Sequence, residues 1–230
     1  MRIIHAADSF APDIGGIERQ VQALAFRQKD QGHDVSVITA VNEPADLDLN
    51  VVRALPGRWL TVAFPWRNYR LVAAALDNGP IDLVHAHFTV ISPIAIYVAR
   101  AASRRGIPVA ITVHSLWWQV AIAARLSSLP FGWGRTRAAW SAVSNVAAAR
   151  VHRTLPRIDE VSVVPNLVDV QWWQRPETGA ESIGDEVRVI LVGRLKKRKH
   201  IDELPRRRGR LSVRGSRCAR RRTRSAVGRR

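Results

Sequence analysis

The sequence predicts an α/β fold built on a parallel sheet, because short runs rich in Val, Ile and Leu alternate with segments of helical periodicity. Five such runs are RIIHAA, DVSVIT, LNVVRAL, IDLVHAH and IPVAITVH. They are nearly continuous in apolar residues, which is typical of strands covered on both faces, and helical connections make neighbouring strands parallel. We therefore expect a Rossmann-like parallel sheet with helices on both faces.

The helical segments are marked by apolar stripes and by glycines at their ends. Apolar residues recur at helical spacing from Ile17 to Ala25, and Gly32 is placed to end this helix. The segments RNYRLVAAALDN and SPIAIYVARAASRRG predict two further helices, the second closed by Gly106. A strand in WSAVS, a helix in NVAAARVHRTL and a strand in VSVVPNLVD follow.

Composition divides the chain into four parts. Residues 1–170 form the predicted sheet domain, and residues 171–185 are polar without a regular pattern, which indicates a linker. Residues 186–205 open a second α/β domain with the buried strand VRVILVGRL. Residues 206–230 are Arg-rich and lack any period, so we expect a disordered tail and an incomplete second domain.

The net charge of +17 is concentrated in this tail, which holds 12 Arg and no acidic residue. The residues before it carry 24 basic and 19 acidic side chains, a net charge of only +5. The single Cys218 excludes an intrachain disulfide. Neither a signal-peptide pattern nor an apolar run of about 20 residues is present, and these features predict a cytoplasmic protein.

The first candidate site is the glycine pair Gly15 and Gly16 in PDIGGIERQV, at a turn from strand to helix. Glycines allow a ligand to approach the backbone, and the N–H groups at the start of the helix attract anions. This arrangement suits a phosphate or a polar sugar. The alternative is a tight turn without a ligand, which an isolated glycine pair favours.

Histidines supply the second candidate site. His114 ends VAITVH, where open α/β sheets have their ligand crevice, so it can orient or transfer a proton. A structural histidine bonded to a loop is the alternative. His85 and His87 lie on one face of a strand, but no carboxylate or Cys nearby completes a recognisable ligand set, so we expect no metal site.

The third candidate is VGRLKKRK, a buried strand followed by Arg194 and, five residues later, Lys199. An arginine fork and a lysine charge near a helix start can bind a diphosphate. The alternative is a solvated basic turn.

In order, PDIGGIERQV, GHDVSVIT, DLVHAHF, ITVHS, VSVVPNLVD and VILVGRLKKRK resemble the motif series of a family 4 retaining glycosyltransferase with GT-B architecture. The resemblance covers residues 2–204 and implies that residues 1–170 are the N-terminal, acceptor-binding half of a GT-B fold. It implies that Gly15 and Gly16 line the cleft and that His114, the catalytic candidate, lies near the transferred sugar.

The resemblance also implies that Arg194 and Lys199 neutralise the diphosphate of a nucleotide-sugar donor. It implies no cofactor and no divalent metal, with a glycan or a lipid-linked molecule as acceptor. The hexosyl group would move to an acceptor hydroxyl with retention of configuration.

The chain departs from the family pattern at its end. His200 replaces a glycine that often follows the lysine, Leu167 replaces the glycine of NGVD, and the acidic E-x7-E stretch of the donor domain is absent. Because out-of-frame reading of a GC-rich gene yields Arg, Gly, Ser, Pro and Ala, a frameshift near Leu204 accounts for residues 206–230. We therefore expect the chain to be truncated and to catalyse no transfer.

Two other functions remain open from sequence. The Arg-rich tail is compatible with a nucleic-acid-binding protein, and in either case it should bind polyanions non-specifically. A sugar-nucleotide epimerase of the GT-B type is the other alternative. The sequence gives no indication of the oligomeric state.

Aromatic rings beside arginines suggest peripheral contact with the inner face of the cell membrane. Ordinary core packing of the same rings is the alternative. The residues concerned are Trp117, Trp118, Phe131, Trp133 and Trp140 with Arg125, Arg135 and Arg137, and in addition Trp66, Arg67 and Arg70.

Overall fold

The computed structural model describes residues 1–53, 68–116, 136–168, 170 and 174. Met1–Trp173 form one compact unit, and a second unit, Gln174–Arg230, lies outside the described residues except for Gln174. The strands are β1 (Arg2–Ala7), β2 (Asp34–Thr39), β3 (Asn50–Arg53), β4 (Leu83–Phe88), β5 (Val109–Val113), β6 (Ala139–Ala142) and β7 (Ser162–Val163). The described helices are α1 (Gly16–Asp30), α2 (Tyr69–Asp77), α3 (Pro93–Arg104) and α4 (Asn145–Thr154).

The seven strands form one sheet in the order β3-β2-β1-β4-β5-β6-β7, and every neighbouring pair is parallel. From β1 the chain first builds outward through β2 and β3, then crosses to the other side of β1 and continues with β4. The strand order therefore reverses between β1 and β4, which is where doubly wound sheets bind ligands. The predicted Rossmann-like parallel sheet is confirmed.

Helices cover both faces of the sheet, as predicted. On one face, Ile4, Ala6, Val84 and Ala86 belong to the core that also contains the buried residues of α2, α3 and α4. On the other face, Ala7, Val35 and Val37 pack with Val21 and Ala25 of α1. Because successive side chains of a strand point to opposite faces, the odd-numbered residues of β1 and β4 lie on the α1 face.

A left-handed glycine ends α3, as the sequence predicts. Gly106 has φ +74°, its N–H donates to the carbonyl of Ser103, and the N–H of Ile107 donates to that of Ala102. These two bonds satisfy carbonyls that the end of a helix leaves open. Gly32, with φ +83°, ends α1 in the same way.

A carboxylate from the neighbouring strand caps the start of α3. Asp8 follows β1, and its two oxygens accept hydrogen bonds from the backbone N–H groups of Ile94 (3.1 Å) and Ala95 (3.0 Å). Both groups are in the first turn of the helix, where N–H groups lack intrahelical partners and negative charge is favoured. This contact ties the carboxyl end of β1 to the helix that follows β4.

The membrane-contact prediction is wrong for one of its residues. Trp140 is buried on β6, and its ring packs edge-on against Phe88 with the ring centroids 5.9 Å apart. Its neighbours make it a core residue, so it cannot face lipid. Arg70 and Arg137 are exposed, and the other residues named in that prediction lie outside the described residues.

Across the described part of the chain, no helix combines the length and apolar character needed to cross a bilayer.

Replacing Asp8 with Ala should lower the free energy of unfolding by about 2 kcal/mol, because two buried N–H groups of α3 lose their acceptors. Asp8→Asn, which keeps one acceptor oxygen, should cost less. Chemical denaturation followed by circular dichroism gives both values. The exposed Asp46 provides the control, since Asp46→Ala should change stability by less than about 0.5 kcal/mol. Equal effects of the Asp8 and Asp46 alanine variants would contradict the capping role.

Candidate functional site

The start of α1 borders the carboxyl edge of the sheet. Gly15 is the N-cap residue and provides no side-chain cap, while Gly16 is the first helical residue. A Cβ added at Gly16 would meet no atom within 4 Å, so the fold itself does not require glycine at that position. The glycine instead leaves open space beside the first N–H groups of α1, which have no intrahelical partners.

A groove of about 560 Å³ runs beside α1 from Gly16 to Phe26. It mixes amide and guanidinium groups with apolar surface, which suits a ligand that has both hydroxyl groups and C–H faces. Part of its wall comes from the segment after β7. The lining residues are Gly16, Arg19, Gln20, Gln22, Ala23, Phe26, Asn166 and Leu167.

His114 lies directly after β5, at the carboxyl edge of the sheet. Its backbone N–H donates to the carbonyl of Phe88 (2.8 Å), which extends the β4–β5 pairing by one residue. Its side chain is hydrogen-bonded to Asn166, a residue of the groove. The structure therefore brings Gly16 and His114 to one region through Asn166, whereas Arg194 and Lys199 lie outside the described residues.

Behind His114, buried histidines form a hydrogen-bonded chain. His114 Nε2 lies 3.0 Å from His87 Nδ1, and His87 Nε2 lies 3.0 Å from His5 Nδ1. The chain ends on α1, where Gln28 Oε1 lies 2.7 Å from His5 Nε2. It thus runs from the middle of β1 up the α1 face of the sheet to the candidate site.

The amide oxygen of Gln28 gives this chain a direction. Because Oε1 can only accept, His5 must carry its proton on Nε2 and accept at Nδ1. His87 must then donate from Nε2 and accept at Nδ1, so His114 donates from Nε2. Nδ1 of His114 then carries no proton, so Asn166 and any bound hydroxyl group compete for that one lone pair.

All three histidines of this hydrogen-bonded chain are held in the neutral form. Burial lowers the pKa of His5 from 6.5 to about 4, against the opposing hydrogen bond with Gln28. Burial likewise lowers the pKa of His114 to about 4, opposed by its bond with Asn166. Burial, aided by the neighbouring histidines, holds the pKa of His87 well below 6.5.

His85 forms a side branch toward the outer strands. Its Nε2 lies 2.8 Å from Thr112 Oγ1, which in turn lies 2.8 Å from Ser141 Oγ. Burial, with repulsion from His5 and His114, lowers the pKa of His85 to about 3. The α1 face of β4, β5 and β6 is therefore polar, in contrast to the apolar opposite face.

Sequence reasoning missed three residues of this arrangement: His5, Gln28 and Asn166. It correctly placed His85 and His87 on one face, but its argument that nothing completes a ligand set overlooked His5, which pairs with His85 across the strands. Only His5 could have been noticed from sequence, because it is an unusual polar residue within the apolar run RIIHAA.

The fold is that of a Rossmann-like α/β protein, and its candidate groove lies between α1 and the segment after β7. Residues 14–172 match the family model described as Glycosyltransferase Family 4. The chain therefore belongs to glycosyltransferase family 4, which confirms the resemblance found in the sequence.

Two further comparisons, with curated proteins and with solved structures, were made. No curated protein matches the chain. The structure of apo UGT2 from Phytolacca americana is similar to 56% of this chain, at 12% sequence identity and with a TM-score of 0.38. The match covers 32% of that protein, so this chain corresponds to about a third of its length.

The buried histidines predict a loss of stability in mild acid. Because the pKa values of His5 and His114 are about 4 in the folded chain and 6.5 when unperturbed, only the unfolded chain takes up these protons between pH 6.5 and 4. Stability should be complete above pH 6.5 and fall by up to about 1.4 kcal/mol per pH unit for each histidine below it.

Denaturation curves measured between pH 4.5 and 7.5 in the presence of a chelator test this prediction. His114→Gln should reduce the slope of stability against pH, whereas His152→Gln, at an exposed position on α4, should leave it unchanged. A pH-independent free energy of unfolding would contradict the neutral state of the buried histidines.

Proposed function

We propose that this domain binds the acceptor in the transfer of a hexosyl group from a nucleotide-diphosphate sugar to an acceptor hydroxyl, with retention of configuration. The observation that carries the proposal is the convergence of Gly16, Asn166 and His114 at the carboxyl edge of the sheet. Membership of glycosyltransferase family 4 supports sugar transfer over epimerisation.

The groove beside α1 has the chemistry of an acceptor site. Arg19, Gln20 and Asn166 offer donors and acceptors for hydroxyl groups, and Phe26 and Leu167 offer apolar surface for the C–H face of a sugar or the start of a lipid. A phosphate on the acceptor would be favoured near Arg19 and the open N–H groups of α1. These groups suit a glycan or a lipid-linked acceptor.

His114 is the proposed catalytic residue. With its Nε2–H donated to His87, it presents a neutral ring whose Nδ1 can accept from a hydroxyl group of the bound sugars in place of Asn166. Because His87 is itself held by His5, the ring of His114 does not have to be oriented by substrate. Arg194 and Lys199, outside the described residues, are proposed to stabilise charge on the departing diphosphate.

The Gly16→Ala variant distinguishes an effect on acceptor binding from an effect on folding stability. Alanine fits the first turn of α1, so the free energy of unfolding should be unchanged or should rise by up to about 1 kcal/mol. The added methyl group would narrow the groove and weaken acceptor binding by about tenfold or more. Ligand-observed NMR with a panel of monosaccharides, polyols and short polyprenyl phosphates measures this binding.

Gly32→Ala is the matched control, because φ +83° makes alanine strained there while the position lies at the opposite end of α1. It should lower stability and leave binding unchanged. If no member of the panel binds, or if Gly16→Ala binds as well as the parent chain, the acceptor site is placed wrongly. Wherever transfer is observed, the anomeric configuration of the product distinguishes retention from inversion.

A further inference from the structure

Three histidines converge on the α1 face of the sheet. His5 and His85 are direct partners in the parallel register of β1 and β4, and His87 follows two residues later on the same face. One ring nitrogen from each lies within 4.8 Å of the other two. We propose that His5, His85 and His87 bind one transition-metal ion of the borderline class that prefers imidazole, with Zn²⁺ as its representative.

The spacing of the ring nitrogens is close to that of a coordinated ion. His5 Nδ1 and His87 Nε2 are 3.0 Å apart. Two nitrogens bound to Zn²⁺ at about 2.0–2.1 Å with tetrahedral angles lie about 3.3 Å from each other. Opening this pair by about 0.3 Å admits the ion, and the third ligand atom, from the half-buried His85, lies within 4.8 Å of both.

Each histidine of the cluster also has a partner for a second ring nitrogen. His5 Nε2 is bonded to Gln28 Oε1, and His87 Nδ1 to His114 Nε2. His85 Nε2 is bonded to Thr112 Oγ1, and this bond is retained if Nδ1 binds the ion. Metal-bound histidines typically have their other ring nitrogen fixed in this way, which distinguishes the cluster from a simple stack of buried rings.

The donor set also determines the class of ion. Within the described residues the cluster consists of imidazoles alone, so hard cations such as Mg²⁺ and Ca²⁺, which require oxygen ligands, are disfavoured. Three histidines leave a fourth tetrahedral position for water or hydroxide. His5 and His87 are buried and His85 is half-buried, so this position opens on the His85 side.

Metal binding is incompatible with the protonation pattern that the hydrogen-bonded histidines have without an ion. Without an ion, His87 donates its Nε2 proton to His5. Coordination needs the Nε2 lone pair, so the proton of His87 must lie on Nδ1 and be donated to His114 Nε2. His114 then carries its own proton on Nδ1, and the nitrogen that is an acceptor without metal becomes a donor with it.

Titration of the untagged 230-residue chain with Co²⁺ tests the site. We expect visible absorption bands of tetrahedral Co²⁺ that saturate at one equivalent and disappear when Zn²⁺ is added. His85→Gln and His87→Gln should weaken binding at least about 100-fold, and Gln28→Leu, which removes the partner of His5, about 10–100-fold. Competition with a chromophoric chelator gives the affinities.

Two controls remove other ligands for the ion. His33→Gln abolishes the pairing of His33 Nδ1 with the N-terminal amine, 3.5 Å away, and Cys218→Ser removes the single thiol. Both variants should bind as the parent chain does. An octahedral Co²⁺ spectrum, tight binding by the His85 and His87 variants, or loss of binding in His33→Gln or Cys218→Ser would overturn the proposal. If the histidine variants fail to fold, the spectrum and stoichiometry of the parent chain still decide.

Discussion

The parallel pairing of β1 with β4 is the constraint on which the site depends. This pairing places His5 opposite His85, brings His87 alongside, and positions Asp8 to cap α3. It is also the point where the strand order reverses, which is where doubly wound sheets bind their ligands. One long-range register thus determines both where the strand order reverses and how the buried histidines meet.

Helix α1 serves the site at both of its ends. Its start, at Gly16, borders the groove, and Gln28 near its end determines which nitrogen of His5 carries the proton. The two positions are about 18 Å apart along the helix axis. Burial of neutral imidazoles is tolerated only when their N–H groups are paired. The hydrogen bonds from Gln28 to His114 therefore both stabilise the fold and orient the His114 ring.

Much of the fold was predictable because it depends on local signals. Apolar runs marked the strands, Gly32 and Gly106 marked helix ends, and period-two alternation placed His85 and His87 on one face. Strand order and register depend on contacts distant in sequence, so the partners His5 and Asn166 could not be found that way. Trp140 was misjudged for the same reason, because its neighbour Phe88 belongs to a strand 52 residues earlier.

The central claim is that His5, His87 and His114 are neutral at pH 7 and that all three carry their proton on Nε2. Long-range ¹H–¹⁵N correlation spectra of the metal-free, ¹⁵N-histidine-labelled chain report the protonation of each ring nitrogen directly. Three neutral Nε2–H rings that persist down to pH 5.5 are expected. A charged imidazolium at any of these three residues at pH 7, or a proton on Nδ1 of His114 in the metal-free protein, would contradict this protonation pattern.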